Sequence, residues 1–488
     1  MPGTTPLSAV TSESGPVYLR LAGVLEGMIR SQSLRPGDRV PSVRQFGRQQ
    51  KVSVPTALSA YATLETRGLI EARPKSGYFV RRRQSDAVRT PGWGRPAPRV
   101  TDFSSLDPLD TIMSDHGNPA FVPLGAALPS PDLLPGEKLA RIMGGIARRI
   151  PGAGVAYDVI PGSETLRREL ARRSLDWGCA LQPDEFMVTN GCTEALALAL
   201  RATCQPGDTV AVESPTYFGL SSLLRESRLN ALPIPVDSDT GIDLEVLGKA
   251  LRKTRIAACV LIPNFHNPVG FLMPEDRRKA IISLLTPRGI PIIEDDIYGD
   301  LQHQGDRPRC LKAFDPDGSV ILCGSFSKTL APGYRIGYIS GGRWHPQLMR
   351  LKSISSLANA TLPTLAVAEF LKHGGYDRHL RSLRQAYRSQ MEHMREAVAA
   401  GFPPGIGLSR PQGNLVLWCE LPARVDSIEL FQRARAAGIS IAPGPLFAAC
   451  DTGFRNFIRI NCGHPWSPAI ERSVAILGHL ATDLANKG

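Results

Sequence analysis

The chain has 488 residues and a net charge of +12, and 42% of its residues are hydrophobic. This length predicts two or three domains. The chain has neither the run of roughly 18 apolar residues that a membrane span needs nor a secretory signal pattern. Its nine cysteines are scattered singly, which predicts reduced thiols in a cytoplasmic protein, and neither disulfides nor a metal site.

Positive charge is concentrated near the N-terminus. Residues 1–99 contain 16 Lys and Arg against 6 Asp and Glu, a net of +10 of the chain's +12. A surplus confined to one-fifth of the chain indicates a surface that binds a polyanion. A solvated basic tail is the alternative interpretation of the charge alone.

Three helices and a hairpin are predicted within residues 14–83. In the first helix, which Pro36 and Gly37 would end, a set of apolar residues at helical spacing predicts one buried face. That face would comprise Leu21, Val24, Leu25, Met28 and Ile29. Ser42 and Ser53 are suited to cap the next two helices. Two short β-prone runs around a Pro-Lys-Ser-Gly turn then predict a hairpin, or wing, which completes a compact DNA-binding unit.

Residues 84–120 are rich in proline and predict a linker that is semi-extended where proline is dense. From residue 121 to 488, helices alternate with short apolar runs. Such alternation predicts an α/β domain in which helices cover a mostly parallel central sheet. The apolar runs are 185–188, 209–212, 257–262, 290–293 and 320–323.

The N-terminal unit carries a recognisable motif. Residues 35–44, RPGDRVPSVR, resemble the GntR-type winged-helix signature, and the resemblance extends over residues 17–81. It implies binding to double-stranded DNA, with the second helix of the pair in the major groove and the wing in the minor groove. A winged helix kept only for protein contacts is the alternative. The implied DNA-contact residues are Arg39, Ser42, Arg44, Ser53, Thr56, Lys75 and Gly77.

Lys328 is the central residue of the C-terminal part. It follows Ser325-Phe326-Ser327, and Arg335 stands seven positions later. A lysine amine can form an imine, or Schiff base, with an aldehyde, while hydroxyls and a guanidinium can hold a phosphate. The pattern therefore indicates a site for an aldehyde cofactor that carries a phosphate.

Further motifs accompany Lys328 in a consistent order. Asp295 ends a predicted strand and can pair with a pyridine nitrogen, which keeps that nitrogen protonated. Tyr298 and Asn267 can hydrogen-bond the ring's phenolic oxygen, and Tyr217 offers an aromatic face for stacking. Residues 188–196 predict a strand, a glycine turn and a helix, which directs backbone N–H groups at a phosphate.

Together these motifs resemble fold-type I pyridoxal-phosphate enzymes of the class that includes kynurenine and aminoadipate aminotransferases, over roughly residues 121–480. The resemblance implies that Lys328 forms the Schiff base with pyridoxal 5'-phosphate and that Arg459 binds a substrate carboxylate. It also implies that Tyr157 reaches the phosphate of a partner subunit. The implied phosphate-binding residues are Ser325, Ser327, Arg335, Gly191, Cys192 and Thr193. At Cys192 a backbone contact is favoured over redox chemistry.

The two resemblances together match the MocR group of regulators. They imply a cytoplasmic, head-to-tail homodimer that binds promoter DNA and senses an amino compound through its pyridoxal phosphate. Two rival functions remain: an active aminotransferase with an accessory DNA-binding head, and a DNA-binding scaffold with a dead cofactor pocket. The effector and the operator are left open.

Overall fold

The computed structural model describes residues 16–31, 33–73, 76–81, 87–92, 109–373, 375–449 and 453–486. The chain divides into two compact units, Met1–Ala87 and Val88–Gly488, each with its own core. Among the described helices, none has both the length and the apolar character that crossing a membrane requires.

The smaller unit contains the three helices and the hairpin that the sequence predicts. These elements are α1 (Val17–Arg30), α2 (Val43–Gln49), α3 (Val54–Thr66), β1 (Ile70–Arg73) and β2 (Gly77–Val80). Both predicted caps are confirmed, because Ser42 Oγ accepts a hydrogen bond from Gln45 N at 3.2 Å and Ser53 Oγ accepts one from Thr56 N at 3.3 Å. Strands β1 and β2 pair in antiparallel orientation, which forms the wing.

The predicted buried face of α1 is partly wrong. Val24 and Met28 are 46% and 38% exposed, whereas Ala22 is buried. At 100° per residue, the buried stripe is centred between Leu21 and Glu26, which leaves Val24 and Met28 beyond its edge. Glu26 extends the stripe because its carboxylate is paired with Arg67 Nη1 at 2.6 Å. The helix also ends at Arg30, ahead of the predicted Pro36 stop.

The larger unit is an α/β domain. Its helices are α4 (Leu109–His116), α5 (Gly136–Arg149), α6 (Glu164–Ser174), α7 (Gly191–Thr203), α8 (Phe218–Glu226), α9 (Leu244–Lys253), α10 (Glu275–Leu285), α11 (His345–Ser355), α12 (Thr361–Lys372), α13 (Gly375–Gly401), α14 (Ser427–Ala436) and α15 (Pro468–Asn486). Its strands are β3 (Val122–Pro123), β4 (Phe186–Thr189), β5 (Thr209–Ser214), β6 (Asn230–Asp237), β7 (Gly241–Ile242), β8 (Ala258–Leu261), β9 (Ile292–Asp295), β10 (Val320–Ser325), β11 (Gly337–Ser340), β12 (Gly407–Leu408), β13 (Val416–Glu420), β14 (Ile439–Ser440), β15 (Ala442–Pro443) and β16 (Phe457–Asn461).

An eight-stranded sheet forms the centre of this unit, in the order β4-β11-β10-β9-β8-β5-β6-β7. Strands β10, β9, β8, β5 and β6 are parallel neighbours, and β11 runs antiparallel to both strands beside it. The mostly parallel sheet confirms the predicted fold class. Since the carboxyl ends of parallel strands meet at one edge, the segments that follow β4, β5, β8, β9 and β10 converge there. A smaller antiparallel sheet, β12-β13-β16-β15, lies in the C-terminal part.

Residues 88–92, near the start of the predicted linker, belong to the larger unit. The Arg89 backbone accepts a hydrogen bond from Leu408 N at 2.9 Å, and the Arg89 guanidinium is 2.7 Å from the Glu420 carboxylate. The predicted linker of residues 84–120 is therefore not free along its whole length. Its residues 84–86 and 93–108 lie outside the described residues.

Helix α4, within the same predicted linker, is also part of the larger unit. Ile112 is fully buried in the core of that unit, and both Asp115 carboxylate oxygens accept hydrogen bonds from Arg435. Leu109, Ile112 and Met113 have helical spacing, but so short a pattern does not show which surface the helix packs against, so the sequence alone did not indicate this docking.

Candidate functional site

A cavity of about 490 Å³ lies at the carboxyl edge of the large sheet. The structure brings ten of the predicted site residues to its wall although they are spread over most of the larger unit. These residues are Cys192, Thr193, Tyr217, Asn267, Asp295, Tyr298, Ser327, Lys328, Arg335 and Arg459. Within the described residues, no group of three or more His, Cys, Asp or Glu side chains could hold a metal ion.

Lys328 follows β10, and its Nζ donates a hydrogen bond to the Ala127 carbonyl at 2.7 Å. Burial, together with the nearby positive charge of Arg459, lowers the pKa of Lys328 to about 8. A substantial fraction of this amine is therefore neutral close to neutral pH. A neutral, positioned amine is a nucleophile towards carbonyl groups.

Asp295 is the last residue of β9 and is buried. One of its carboxylate oxygens accepts hydrogen bonds from the Cys192 thiol and from the Ile297 backbone N–H, both at 3.2 Å. Burial raises the pKa of Asp295 to about 6, so the group is still mainly a carboxylate at neutral pH. A buried carboxylate aimed into a cavity is suited to bind a protonated ring nitrogen.

Cys192 contacts Asp295 through its side chain, whereas the sequence favoured a contact through its backbone. Burial, reinforced by the Asp295 charge, raises the pKa of the Cys192 thiol well above its usual range. The group therefore remains a protonated donor and is a poor redox nucleophile. The eight cysteines within the described residues are all free and buried.

Donors converge at the N-terminus of α7. Arg335 Nη1 donates to Ser327 Oγ and its Nη2 donates to the Asn190 carbonyl, both at 3.2 Å. The hydroxyls of Ser325 and Ser327 form a hydrogen bond of 2.7 Å. Gly191 begins α7 with φ +76°, a left-handed conformation that favours glycine, and a Cβ at this position would displace the Arg335 guanidinium. A guanidinium, two hydroxyls and a helix N-terminus form an arrangement suited to a phosphate.

Asn267 lies between two other site residues. Its amide nitrogen is 3.2 Å from the Tyr298 hydroxyl, and its amide oxygen accepts a hydrogen bond from Arg459 Nη1 at 3.2 Å. Tyr217 follows β5 on another side of the cavity, and burial raises its pKa to about 12. The hydroxyl of Tyr217 therefore stays protonated at physiological pH.

Arg459, on β16, is a fully buried cation. Its guanidinium carbon lies 5.4 Å and 4.9 Å from the ring centres of Phe218 and Phe447, and one of its Nη groups donates to the Gly125 carbonyl. Its Nε has no partner within the described residues. Burial lowers the pKa of Arg459 to about 10, which still leaves it charged at neutral pH. Such a site is suited to bind a carboxylate through paired donors.

Tyr157 stands apart from the residues that line the cavity. It is 85% exposed and lies in a surface groove formed by residues 154–158 and 356–363. A single chain thus leaves this predicted phosphate-binding residue outside the site. Arg455, four residues before Arg459, is on the surface and is paired with Asp426.

The sequence missed several residues of the cavity wall. The carbonyl that accepts from Lys328 belongs to Ala127, and Met113 comes from the predicted linker. One face of α8 adds Ser222, Leu223 and Glu226. The spacing of these α8 residues could have indicated a common face, but nothing local shows that the face lines a cavity.

The predicted DNA contacts lie on the smaller unit, except Lys75, which is outside the described residues. Arg44 is exposed in the first turn of α2, and Thr56 is in the first turn of α3. Gly77 begins β2 with φ +99°, and a Cβ there would meet the Arg39 guanidinium at 3.5 Å. The Ser42 and Ser53 hydroxyls are engaged as helix caps.

Comparison with known proteins finds two family matches. Residues 152–468 match the family described as aminotransferase class I and II, and residues 17–80 match the gntR family of bacterial regulatory proteins. The uncharacterized HTH-type transcriptional regulator YjiR of Escherichia coli K12 is 37% identical over 461 residues, which cover 94% of this chain and 98% of that protein.

Two aminotransferases are similar to the larger unit. The 2-aminoadipate transaminase of Thermus thermophilus is 30% identical over 351 residues, which cover 70% of this chain and 85% of the transaminase. The structure of Pyrococcus horikoshii kynurenine aminotransferase, solved in complex with PMP, superposes with a TM-score of 0.73 at 26% identity. The superposition covers 79% of this chain and 96% of the other.

Proposed function

Because this chain belongs to the class I and II aminotransferase family and has the MocR architecture, we propose that its larger unit binds pyridoxal 5'-phosphate to control promoter binding by the smaller unit. The chain is a regulator that acts on double-stranded DNA in the cytoplasm. Its input is a small amino compound that binds next to the cofactor.

The observation that carries this proposal is a single cavity whose wall contains four charged residues suited to the parts of the cofactor and its ligand. Lys328 suits an aldehyde, Asp295 a pyridine nitrogen, Arg335 a phosphate and Arg459 a carboxylate. The Arg335 guanidinium, which lies directly over Gly191 at the start of α7, and the unpartnered Nε of Arg459 support the fit. When bound, pyridoxal phosphate supplies an aldehyde that condenses with amines and a ring that withdraws electrons.

The remaining predicted residues complete the binding site. Asn267 and Tyr298 would bind the ring's phenolic oxygen, and Tyr217 would stack on the ring. Lys328 would hold the cofactor through its amine, and Asp295, which accepts a hydrogen bond from the Cys192 thiol, would keep the ring nitrogen protonated. The residues that would bind the phosphate are Ser325, Ser327, Arg335, Gly191, Cys192 and Thr193.

The switch depends on two side chains that meet the ligand. Arg459 would bind the ligand carboxylate, and the ligand amine would compete with the Lys328 amine for the aldehyde that the cofactor supplies. The Ala127 carbonyl, which accepts a hydrogen bond from Lys328, would position that amine. For this competition to alter DNA binding, the ligand must bind two arrangements of the protein with different free energies.

We further infer a homodimer in which Tyr157 contacts the phosphate of the partner subunit. The groove around Tyr157 supports it, since Val155 and Leu357 are 89% and 44% exposed there. Large exposed apolar side chains of this kind are typical of interaction sites. A closed two-fold dimer is the commonest assembly for such a patch, and the solution mass measured by light scattering tests it.

The main experiment is a footprint of the full chain on DNA upstream of its own coding region. It is run with and without pyridoxal phosphate, and then with a panel of amino acids and amines. We expect protection of a defined site and a change in that protection with one class of amino compound. Protection that is the same in every condition would rule out the switch and leave a constitutive DNA-binding protein.

An active aminotransferase is the alternative function. The cavity holds a full set of cofactor residues, and relatives that cover the larger unit are transaminases. A multiple-turnover assay over amino-acid and keto-acid pairs separates the two functions. Sustained turnover supports the enzyme, whereas spectral changes without turnover support the sensor. A dead-pocket scaffold would show no spectral change on adding pyridoxal phosphate.

Replacing Arg44 by alanine tests the DNA-binding surface. Because Arg44 is exposed in the first turn of α2, its loss removes one phosphate or base contact. We expect about tenfold weaker binding, and for a phosphate contact a salt-dependence slope lower by about 1. Fluorescence anisotropy with the protected DNA site measures both. Arg20→Ala, on the exposed surface of α1, is the matched control and should bind as the wild type does.

A further inference from the structure

The charges that line the cavity are not all assigned by the proposed function. Among the described residues, three cations and two carboxylates line it, namely Lys328, Arg335, Arg459, Asp295 and Glu226. The aldehyde, phosphate and carboxylate sites use the three cations, and the ring nitrogen uses Asp295. Of these five charges, Glu226 is the one that neither the cofactor nor an α-carboxylate engages.

Glu226 belongs to a face of α8 that runs along the cavity. Gly219, Ser222, Leu223 and Glu226 all line it, and their spacing of three, four and seven residues places them on one side of the helix. Glu226 lies seven residues after Gly219, which is about 10 Å along the helix axis. Helical side chains lean towards the helix N-terminus, so the Glu226 carboxylate leans back towards the ring-stacking Tyr217.

The Glu226 carboxylate is available for a ligand. It is exposed, and within the part of the chain that the structure describes it forms no hydrogen bond or ion pair. The wall of the cavity is otherwise largely apolar, with Met113, Leu128 and Leu196 among its members. Arg459, fully buried and with an unpartnered Nε, independently marks the same cavity as a ligand site.

We propose that the ligand is an α-amino acid whose apolar side chain ends in a second positive charge, as in lysine or ornithine. Its carboxylate lies on Arg459, its methylene groups contact the apolar wall, and its terminal ammonium faces Glu226. A ligand with an acidic side chain is disfavoured, because its second carboxylate would meet that of Glu226. This inference rests on the proposed function and adds the chemical class of the effector.

The test compares three amino acids of similar length on the full chain loaded with pyridoxal phosphate. L-lysine, L-norleucine and L-2-aminoadipate carry a positive, a neutral and a negative end. Affinity is measured by calorimetry and by the change in visible absorbance. We expect lysine to bind up to about fivefold more tightly than norleucine, because an exposed ion pair contributes at most about 1 kcal/mol. Aminoadipate should bind more weakly than norleucine.

Variants on the α8 face decide whether Glu226 is responsible. Glu226→Gln should lower lysine affinity to that of norleucine without changing norleucine binding, and Glu226→Lys should favour aminoadipate over lysine. Glu245→Gln, the same change at an exposed glutamate of α9 that does not line the cavity, is the control and should keep the wild-type order.

Two outcomes would overturn the inference: equal affinity of lysine and norleucine in the wild type, or an unchanged preference in Glu226→Gln. In both cases norleucine still binds, so the proposed sensing function stands. Failure of all three amino acids to bind would also overturn this inference, whereas the footprint with its wider panel of amino acids and amines tests the proposed function separately.

Discussion

Replacing Lys328 by alanine or arginine is expected to abolish covalent cofactor attachment and to lower pyridoxal phosphate affinity by roughly two orders of magnitude, about 3 kcal/mol. The physical reason is the buried Lys328 amine, whose pKa of about 8 leaves part of it neutral and nucleophilic. Arginine keeps the charge and most of the bulk, but its guanidinium is always protonated and cannot condense with an aldehyde. Absorbance titration measures the affinity.

Borohydride reduction followed by peptide mass mapping locates the attachment. The peptide that contains Lys328 should be labelled in the wild type and unlabelled in both variants. Lys249→Ala, at an exposed lysine of α9, is the matched control and should keep the label. The attachment rate should also rise about tenfold per pH unit below 8 and level off above it, as the amine loses its proton. A label on another peptide would refute the assignment of Lys328.

Replacing Arg459 by alanine is expected to weaken the binding of α-amino acids by about 100-fold. Two charge-assisted hydrogen bonds to a carboxylate contribute roughly 2–4 kcal/mol in a buried site. The affinity of Arg459→Lys for α-amino acids should lie between those of the wild type and Arg459→Ala, since a lysine keeps the charge without the paired donors. Titration of the loaded protein with norleucine and with pentylamine, which has no carboxylate, isolates the effect. Only norleucine binding should weaken.

Arg455→Ala is the control for the Arg459 variants. This arginine stands four residues earlier, is exposed and is paired with Asp426, so its loss should leave both ligands unaffected. Because Arg459→Ala leaves a void between Phe218 and Phe447, thermal unfolding is measured in parallel. Equal weakening of norleucine and pentylamine would contradict the carboxylate role and indicate a disturbed cavity.

The proposed site also explains why the residues around the cofactor position must be rigid. Arg335 is held by Ser327 and by the Asn190 carbonyl, and Asn267 is held between Tyr298 and Arg459. Side chains locked by such contacts bind a ligand without a large loss of rotamer entropy. The α8 face has no comparable network at Glu226 within the described residues, which is consistent with a part of the cavity where the ligand side chain varies.

Much of the chain's organisation is local and could be predicted from the sequence. The Ser42 and Ser53 caps act on backbone groups three residues away, and the strand ends are marked by short apolar runs. The sequence also predicted the order of the motifs around Asp295 and Lys328, because each motif is a strand end followed by a polar loop. Parallel strands bring such ends to one edge, so the sequence also indicated a shared site.

The tertiary structure alone decided the contacts between distant residues. Lys328 and Ala127 are 201 residues apart, and Arg89 and Glu420 are 331 apart, so no local pattern links either pair. Packing also decided the contact of the Cys192 thiol with Asp295 and the α8 wall of the cavity with Glu226. The exposure of Val24 and Met28 likewise depends on which face of α1 packs against the rest of the smaller unit. Capping, periodicity and strand ends depend on neighbours along the chain, and so the sequence by itself determined the elements and their order. Which side chains face one cavity depends on how those elements pack, and only the folded chain contains that information.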